Sequence, residues 1–486
     1  MSKDILNLQP ASLWKNFYSL TQIPRPSKKE EKVRDFIADF GKKLGLETIV
    51  DEVGNVIIRK PATPGMENRK GAILQGHIDM VPQKNSDVVH DFEKDPIDAW
   101  VDGDWVKARG TTLGADNGIG AAAAMAILES KDIPHGPVEA LFTIDEETGM
   151  TGAFGLKAGI LKGDILMNMD SETEGELYIG CAGGTNANIR FAYSEVPVPA
   201  GMIAFKLSVT GLKGGHSGVD IPLERGNSNK ILNRFMWHAE RKHGLRLASI
   251  DGGSLRNAIP RESFAIVVIP GDKKSDFLKC LEKFQGIVKK ELMTVDPELK
   301  VEAVATDMPK ALIDEDTQKR FLNAVYGCPN GVMRMSNDMA GLVETSTNLA
   351  IIKSENGNIR LQCLLRSSVD SAKSDLEQMM QSVFELAGAE VIFDGQYPGW
   401  KPNPASPILK TMQEIYQKKW GKVPEIRAIH AGLECGLMGG VYPNWDMISF
   451  GPTICNPHSP DERVGIESVQ KFWDFLVDTL KNFPQK

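Results

Sequence analysis

Short apolar runs that end in histidine or carboxylate side chains recur over residues 72–170, and they constrain the fold more than any other feature. Residues 72–74 and 140–144 have the length and composition of buried strands. Between them, residues 118–129 are rich in alanine, whose small side chain lets a helix pack closely on a sheet. Alternating strands and helices predict an α/β layer architecture with a mixed sheet. Upstream, Ser27 and Glu30 have the spacing of a capping box at the start of a helix.

The length of the chain, 486 residues, exceeds what one hydrophobic core ordinarily supports, so at least two domains are expected. After about residue 186 the sequence pattern changes: the predicted strands alternate apolar and polar residues and no longer end in acidic residues. We therefore predict a discontinuous first domain at 1–186 and 396–486, with an inserted α+β domain at 187–395. Within the inserted domain, residues 261–278 resemble residues 360–376, each a strand followed by an amphipathic helix. This similarity predicts an inserted domain built from two related halves.

Composition narrows the class of protein. The net charge of −8 gives no support to nucleic-acid binding. Six widely spaced cysteines predict reduced thiols rather than a disulfide framework. The first residues lack the pattern of a secretory signal, and the longest stretch of small apolar residues, 119–128, is about half a membrane span. A cytoplasmic protein without membrane contact is expected.

Histidine and carboxylate side chains at several strand ends form a ligand set typical of zinc or a similar divalent metal. His77 and Asp79 face the same side of one strand, so His77 is a candidate ligand and Asp79 a residue that orients its imidazole. A buried structural His–Asp pair is an equal alternative. Asp116 lies in a glycine-flanked turn before a helix, which suits a carboxylate shared by two metals. The alternative is a helix N-cap.

The remaining acidic strand ends extend this set. Glu146 and Glu147 are adjacent, so their side chains diverge, and one is expected to bind a metal while the other acts on water. A solvated acidic loop is the alternative, as turn initiation is for Asp170. His458 lies far downstream. Two divalent cations are balanced by Asp116, Glu147, Asp170 and a hydroxide, which is the balance that a buried site requires.

Four motifs resemble the dinuclear zinc peptidases related to aminoacylase and the cytosolic dipeptidases, and the similarity extends over nearly the whole chain. They are Gly-His-Ile-Asp-Met-Val-Pro at 76–82, Gly-Ala-Asp-Asn-Gly at 114–118, Asp-Glu-Glu-Thr-Gly at 145–149 and Leu-Lys-Gly-Gly-His-Ser-Gly at 212–218. The resemblance implies that residues 1–186 and 396–486 form the catalytic domain, a mixed-sheet, dinuclear-metal peptidase domain with helices on both faces. It also implies that residues 187–395 form a lid and dimerisation domain.

The resemblance also implies a role for each site residue. His77 and Asp170 would hold one metal, Glu147 and His458 the other, and Asp116 would bridge the two. Asp79 would orient His77, and Glu146 would act as general base and acid on a metal-bridging water.

The resemblance further implies oxyanion stabilisation by His216, substrate contacts by Asn257 and Arg366 in the lid, and a substrate contact by Gly432 in the catalytic domain. A glycine-rich loop lets His216 approach a ligand closely, although a loop histidine is by default merely solvated. The planar guanidinium of Arg366 suits the C-terminal carboxylate of a peptide, with a surface ion pair as the alternative.

These assignments predict a metallo-dipeptidase that hydrolyses unblocked dipeptides, including those that end in histidine. The expected cofactors are two divalent ions, zinc first, with cobalt and manganese as alternatives. The expected partners are a small peptide substrate and a second copy of the chain. An aminoacylase or carboxypeptidase acting on N-blocked substrates is the alternative enzyme. A catalytically silent peptide-binding or scaffold protein is disfavoured because every ligand is present.

Overall fold

The computed structural model describes residues 3–486 and divides the chain into two compact units. Unit 1 comprises Met1–Gly180, Pro402–Ala428 and Leu433–Lys486, and unit 2 comprises Cys181–Lys401 with Ile429–Gly432. The sequence predicts divisions after residue 186 and before residue 396, whereas the units divide after Gly180 and before Pro402. Met1 and Ser2, at the start of the predicted catalytic domain, lie outside the described residues.

The α-helices of the described chain are α1 Ala11–Thr21, α2 Glu31–Lys43, α3 Ala115–Glu129, α4 Glu146–Gly149, α5 Thr151–Gly155, α6 Ser228–His243, α7 Lys274–Glu291, α8 Glu315–Gly327, α9 Asp370–Leu386, α10 Pro407–Trp420, α11 Glu434–Val441 and α12 Ile466–Lys481.

The strands are β1 Glu47–Val50, β2 Val56–Lys60, β3 Ala72–His77, β4 Ala99–Asp102, β5 Trp105–Ala108, β6 Val138–Thr143, β7 Ile165–Asn168, β8 Glu176–Cys181, β9 Gly183–Ala192, β10 Glu195–Val196, β11 Met202–Thr210, β12 Gly215–His216, β13 Arg246–Gly252, β14 Ala258–Ile259, β15 Ser263–Pro270, β16 Lys300–Ala305, β17 Leu312–Ile313, β18 Gly331–Met335, β19 Val343–Glu355, β20 Asn358–Ser367, β21 Glu390–Tyr397, β22 Glu425–Ile429, β23 Asp446–Ser449, β24 Ile454–Cys455 and β25 Arg463–Gly465.

Unit 1 is built on a mixed eight-stranded sheet with the order β1-β2-β6-β3-β7-β23-β8-β22. Its centre is parallel, since β3 pairs in parallel with β6 and β7, and β7 with β23. Strands β3 and β6 are buried along their whole length, as strands covered on both faces are. Helices α2, α3 and α10 pack against this sheet. The carboxyl ends of the parallel strands therefore lie at one edge, where ligand sites of α/β sheets are usually found.

The predicted capping box is wrong, and its residues serve another purpose. Helix α2 begins at Glu31 without a side-chain cap. Ser27 Oγ instead donates to Asp79 Oδ2 at 2.8 Å, and Glu30 Oε1 accepts from the backbone N–H groups of Lys28 and Asp145 at 2.7 and 3.1 Å. The spacing is that of a capping box, but long-range partners compete successfully for both side chains.

The alanine-rich helix forms as predicted. Helical backbone angles begin after Asn117, because Asp116 and Asn117 have non-helical φ and ψ values. Every residue from Ala115 to Leu128 is buried. Asn117 Nδ2 donates to the carbonyl of Met169 at 2.6 Å, so the non-helical first residues of α3 are bonded to the residue that follows β7.

Unit 2 contains a nine-stranded sheet in the order β16-β11-β15-β13-β19-β20-β9-β21, with β18 paired to β19. The order is symmetric about its middle. One half runs β11-α6-β13-β15-α7-β16 along the chain, and the other runs β9-α8-β19-β20-α9-β21, with the first half inserted after β9. The two similar sequence segments are β15 with α7 and β20 with α9. They occupy equivalent positions in the two halves, in agreement with the predicted internal similarity.

Among residues 3–486, no helix combines the length and the apolar composition needed to cross a membrane.

Candidate active site

The acidic and imidazole side chains of unit 1 meet at the carboxyl edge of its parallel strands. His77 is the last residue of β3, Glu146 and Glu147 begin α4 just after β6, and Asp170 follows β7. Because neighbouring parallel strands end at the same edge, residues far apart in sequence become neighbours there. The structure thus brings together the strand-end residues that the sequence singled out.

Asp116 occupies the centre of this group. Its Oδ1 lies 3.1 Å from His77 Nε2, and its Oδ2 lies 3.1 Å from His458 Nε2. Asp170 Oδ1 lies 3.3 Å from His77 Nε2, and Glu147 Oε2 lies 2.9 Å from His458 Nε2. Two three-residue groups result, His77–Asp116–Asp170 and Asp116–Glu147–His458, and each has its ligand atoms within 4.8 Å of one another. They share Asp116, so one carboxylate faces both imidazoles.

The N-cap alternative for Asp116 does not hold. No side chain caps α3, and the two carboxylate oxygens of Asp116 face His77 and His458 instead of the backbone N–H groups of that helix. Gly114 and Gly118 flank Asp116 for a reason that the sequence did not reveal. A Cβ at either position would lie 2.6 Å from Arg25 Nη2, so the glycines make room for a buried guanidinium.

Asp79 contacts both His77 and the segment that carries the two glutamates. Its Oδ1 lies 3.2 Å from His77 Nδ1 and accepts from the N–H of Glu146 at 3.1 Å. Its Oδ2 accepts from the N–H of Glu147 at 3.3 Å and from Ser27 Oγ at 2.8 Å. A fully buried carboxylate with these contacts fixes the orientation of the imidazole and the start of α4 together.

The electrostatics of the group reflect buried, crowded carboxylates. Burial, together with the charges of Asp116 and Glu147, raises the pKa of Asp170 to about 7. Burial also raises the pKa of Glu146 well above its usual range. Hydrogen bonds to Asp116 and Glu147 raise the pKa of His458 to about 11.

The donor set fits divalent metal ions. It consists of imidazole nitrogens and carboxylate oxygens, the ligands that zinc, cobalt and manganese accept. Asp116, Glu147 and Asp170 have no Lys or Arg ion-pair partner within residues 3–486. Glu147 Oε1 is buried there without a hydrogen-bond partner, which is costly unless a cation or donor occupies the site. The described chain has four groups whose ligand atoms lie close enough to hold a metal ion, and the two that share Asp116 contain the ligands that the sequence predicts.

Several residues that support this group escaped the sequence prediction. Gln75 Nε2 donates to Glu434 Oε2 at 2.6 Å, Thr143 Oγ1 donates to the same atom at 2.9 Å, and Asn168 Nδ2 donates to Gln75 Oε1 at 2.5 Å. Burial raises the pKa of Glu434 to about 7. Glu30, Arg25 and Glu462 are also buried in unit 1. The hydrogen-bond partners of Arg25 and Glu462 lie far away in the chain, and no local sequence pattern predicts these contacts.

The remaining predicted residues lie in unit 2, where most of them are neighbours. A Cβ added at Gly218 would lie 3.1 Å from His216 Cε1 and 3.2 Å from Arg366 Nε. Ser217 N donates to the carbonyl of Asn257 at 2.8 Å. Arg366 Nη1 donates to the hydroxyl of Tyr397 at 3.2 Å, and a Cβ at Gly432 would lie 3.2 Å from the Tyr397 ring. Tyr397 was missed because a lone tyrosine in a strand carries no chemical signature.

The hydrogen bonds of His216 define its tautomer. Its Nδ1 accepts from the N–H groups of Gly218 and Val219 at 3.2 and 3.1 Å. Burial and the nearby Arg366 charge lower the pKa of His216, which favours the neutral ring. A neutral imidazole that accepts at Nδ1 carries its proton on Nε2 and is a donor there.

Arg366 and His430 are two further buried polar residues of unit 2. Arg366 Nε is buried without a hydrogen-bond partner in the described chain. His430 Nε2 lies 2.7 Å from Ser346 Oγ. Ser346 pairs with Arg366 across β19 and β20, so these side chains are held on adjacent strands.

Comparison with known proteins agrees with this geometry. The model of the peptidase family M20/M25/M40 matches residues 73–482. The chain belongs to this peptidase family. Its M20 relatives include the cytosol non-specific dipeptidase of Escherichia coli (strain K12), which is 48% identical over 99% of this chain and 100% of its own length. The family resemblance inferred from the motifs is confirmed.

Solved structures extend the comparison of this M20 peptidase. An aminoacylhistidine dipeptidase from Vibrio alginolyticus superposes with a TM-score of 0.96 at 50% identity, covering 99% of this chain and 98% of that one. The aminopeptidase PepT from Bacillus cereus ATCC 10987 superposes with a TM-score of 0.57 at 16% identity, covering 98% of both chains. The second likeness concerns the fold alone. The predicted α/β metallopeptidase fold is confirmed.

Proposed function

We propose that this M20 peptidase is a metal-dependent dipeptidase that hydrolyses unblocked dipeptides, including those with a C-terminal histidine. Its relatives at 48% and 50% identity are named a cytosol non-specific dipeptidase and an aminoacylhistidine dipeptidase. The single observation that carries the proposal is the position of Asp116, whose two carboxylate oxygens each lie 3.1 Å from a different imidazole.

The proposed metal ligands are the members of the two groups that share Asp116. His77 and Asp170 would hold one ion, Glu147 and His458 the other, and Asp116 would bridge them. The buried and unpartnered Glu147 Oε1 supports this assignment. When bound, two divalent cations lower the pKa of coordinated water and polarise a carbonyl. Zinc is the expected metal, and cobalt and manganese suit the same ligands.

The remaining groups move the proton and stabilise charge. Glu146 takes the proton of the attacking water on its carboxylate and returns it to the leaving amine, a role suited to a carboxyl whose pKa burial raises. Asp79 keeps the His77 imidazole in its orientation. His216, a donor at Nε2, stabilises the tetrahedral oxyanion, a contribution typically worth about 3 kcal/mol.

Substrate recognition is assigned to unit 2. The buried guanidinium of Arg366, with a free Nε, would bind the C-terminal carboxylate of the dipeptide. Asn257 and the backbone at Gly432 would contact the rest of the peptide. Their connections through Ser217 and Tyr397 support one binding surface.

The test of this function combines metal analysis with a small substrate panel. Purified protein should contain two divalent ions per chain and should hydrolyse free dipeptides with and without a C-terminal histidine. The N-acetylated form of each dipeptide is the matched control and should be cleaved far more slowly. Preference for the acetylated form would instead indicate an aminoacylase or carboxypeptidase. Absence of bound metal would refute the proposal.

We further propose that the protein acts in the cytoplasm as a homodimer, and that unit 2 serves as lid and dimerisation domain. The Escherichia coli relative is named a cytosol non-specific dipeptidase, which supports the proposed location.

A further inference from the structure

We propose that Glu462 is a positioning residue for the metal centre, because it holds in place the backbone of residues 113–116, which leads into and includes the proposed bridging residue Asp116. This inference rests on the proposed metallopeptidase function. It concerns a residue that provides no metal ligand and acts only through the segment that carries Asp116.

The carboxylate of Glu462 accepts four consecutive backbone hydrogen bonds. Oε2 accepts from the N–H groups of Leu113 and Gly114 at 2.7 and 2.9 Å, and Oε1 accepts from those of Ala115 and Asp116 at 2.7 and 3.2 Å. Four donors that point at one anion require the loop to curve around it. The direction in which Asp116 leaves the backbone is thereby fixed.

The buried guanidinium of Arg25 binds the same loop through a backbone carbonyl group. Arg25, which is fully buried, donates to the carbonyl of Gly114 at 2.5 Å and to the carbonyls of Ile78 and Asp79 at 3.0 Å each. Glu462 is 2% exposed and has no Lys or Arg ion-pair partner among residues 3–486. The loop thus lies between an anion and a cation, and Arg25 connects it to the segment after His77.

The position of Glu462 in the chain extends its influence to a second ligand. It lies four residues after His458, in the same loop before β25. His458 has a positive φ of 60°. A loop that gives one ligand and anchors the backbone of another couples the two sides of the site. Displacement of Glu462 should therefore affect both groups that share Asp116.

A purely structural role is the competing explanation, and the same unit provides a matched control. Glu139 Oε2 accepts from the N–H groups of Lys162 and Gly163 at 2.7 Å each, and Oε1 accepts from Arg59 Nε at 2.8 Å. Like Glu462, it is a buried carboxylate that binds backbone donors. It lies near the beginning of β6, at the end of that strand opposite to the one followed by Glu146.

The experiment compares wild-type protein with Glu462→Gln and Glu139→Gln. Each metal-free protein is titrated with Zn²⁺ against a chromophoric chelator, and each is then loaded with Co²⁺ for its visible absorption spectrum. In glutamine an NH2 group replaces one carboxylate oxygen, and it cannot accept hydrogen bonds from the two backbone N–H groups that face it. At least two of the four hydrogen bonds are therefore lost. We expect the dissociation constant of Zn²⁺ to rise about 10- to 100-fold, as is usual when a residue supporting a ligand is lost. The Co²⁺ spectrum should change as well.

The control separates positioning from stability. Both variants should melt at a lower temperature, but Glu139→Gln should bind Zn²⁺ within twofold of wild type and keep its Co²⁺ spectrum. If Glu462→Gln binds Zn²⁺ as wild type does, or if Glu139→Gln weakens binding equally, the inference is wrong while the proposed function stands. If Glu462→Gln does not fold, Glu462→Asp decides, since a shorter carboxylate should weaken Zn²⁺ binding at least threefold. A wild-type protein that binds fewer than two ions would overturn the proposed function itself.

Discussion

The neighbouring carboxylates Glu146 and Glu147 have different expected functions, and substitution of each by glutamine separates them. Glutamine at 146 cannot accept and return a proton, so Glu146→Gln should lower kcat by about 10²- to 10⁴-fold. Its metal content should remain that of wild type, because Glu146 is not an assigned ligand. Metal analysis and dipeptide hydrolysis on the same preparation measure both quantities, and near-normal hydrolysis would contradict the assignment of the base.

Glu147→Gln is the matched partner of that variant. Glu147 Oε2 lies 2.9 Å from His458 Nε2, and the carboxylate contributes negative charge to the group. Its replacement should lower metal content or weaken metal binding as well as activity. If the two glutamine variants lose the same amount of metal, the division of labour between them is wrong.

Sequence reasoning found the residues of unit 1 that follow apolar runs, since His77, Glu147 and Asp170 each stand at a recognisable strand end. It could not find Glu462 or Arg25. Their partners are backbone groups of residues 78–79 and 113–116, and nothing in the local sequence of either residue records such a contact. The sequence draws attention to the glycines around Asp116, but it does not reveal that they also make room for the buried guanidinium of Arg25.

A substitution at Gly118 in helix α3 tests whether this glycine is needed to make room for Arg25. Alanine normally stabilises a helix relative to glycine by about 1 kcal/mol. At Gly118 the added Cβ would lie 2.6 Å from Arg25 Nη2 and 3.0 Å from Phe17 Cε2. Gly118→Ala should therefore lower the free energy of unfolding, by about 1–3 kcal/mol for an overpacked core position.

Gly286 in helix α7 is the control for this substitution. It is exposed, and a Cβ there would have no neighbour within 4 Å. Gly286→Ala should raise the free energy of unfolding by about 0.5–1 kcal/mol. Urea unfolding of the metal-free proteins measures both changes. If Gly118→Ala raises the free energy of unfolding, the Arg25 side chain can move aside at little cost and the prediction is wrong.

The segment Ile429–Gly432 has a pH dependence that follows from the burial of His430. Burial, with the charges of Arg366 and His216, lowers the pKa of His430 from 6.5 to about 3. Between these values the unfolded chain binds a proton that the folded chain does not. Proton binding by the unfolded chain therefore lowers the free energy of unfolding by about 1.4 kcal/mol for each pH unit below 6.5. Above pH 6.5 this loss is absent.

Replacement of His430 should reduce that dependence. Urea unfolding of wild type and His430→Gln at pH 7.5 and 5.5 gives the comparison, with metal removed. The wild-type protein should lose about 1 kcal/mol more than the variant on acidification. Equal losses would mean that His430 becomes protonated without unfolding of unit 2.

The architecture of the whole molecule was predictable in outline. Strand and helix alternation gave the α/β class, and the similarity of residues 261–278 to 360–376 indicated the two halves of unit 2. The insertion of one half after β9 and the symmetric strand order were not predictable. They depend on pairing between distant strands such as β13 and β19, whose register no local pattern encodes. For the same reason, the inclusion of Ile429–Gly432 in unit 2 was missed.

The two halves of unit 2 bear on whether the chain is a monomer or a dimer. Two such halves within one chain could replace a partner, or the chain could still pair with a second copy. The nine-stranded sheet ends in the edge strands β16 and β21, whose exposed side chains include Val304 and Ile392. Open strand edges with apolar side chains favour association. We therefore expect light scattering at assay concentrations to give about twice the chain mass of 53.3 kDa. A mass of one chain at every concentration would instead mean that the inserted half makes a second copy unnecessary.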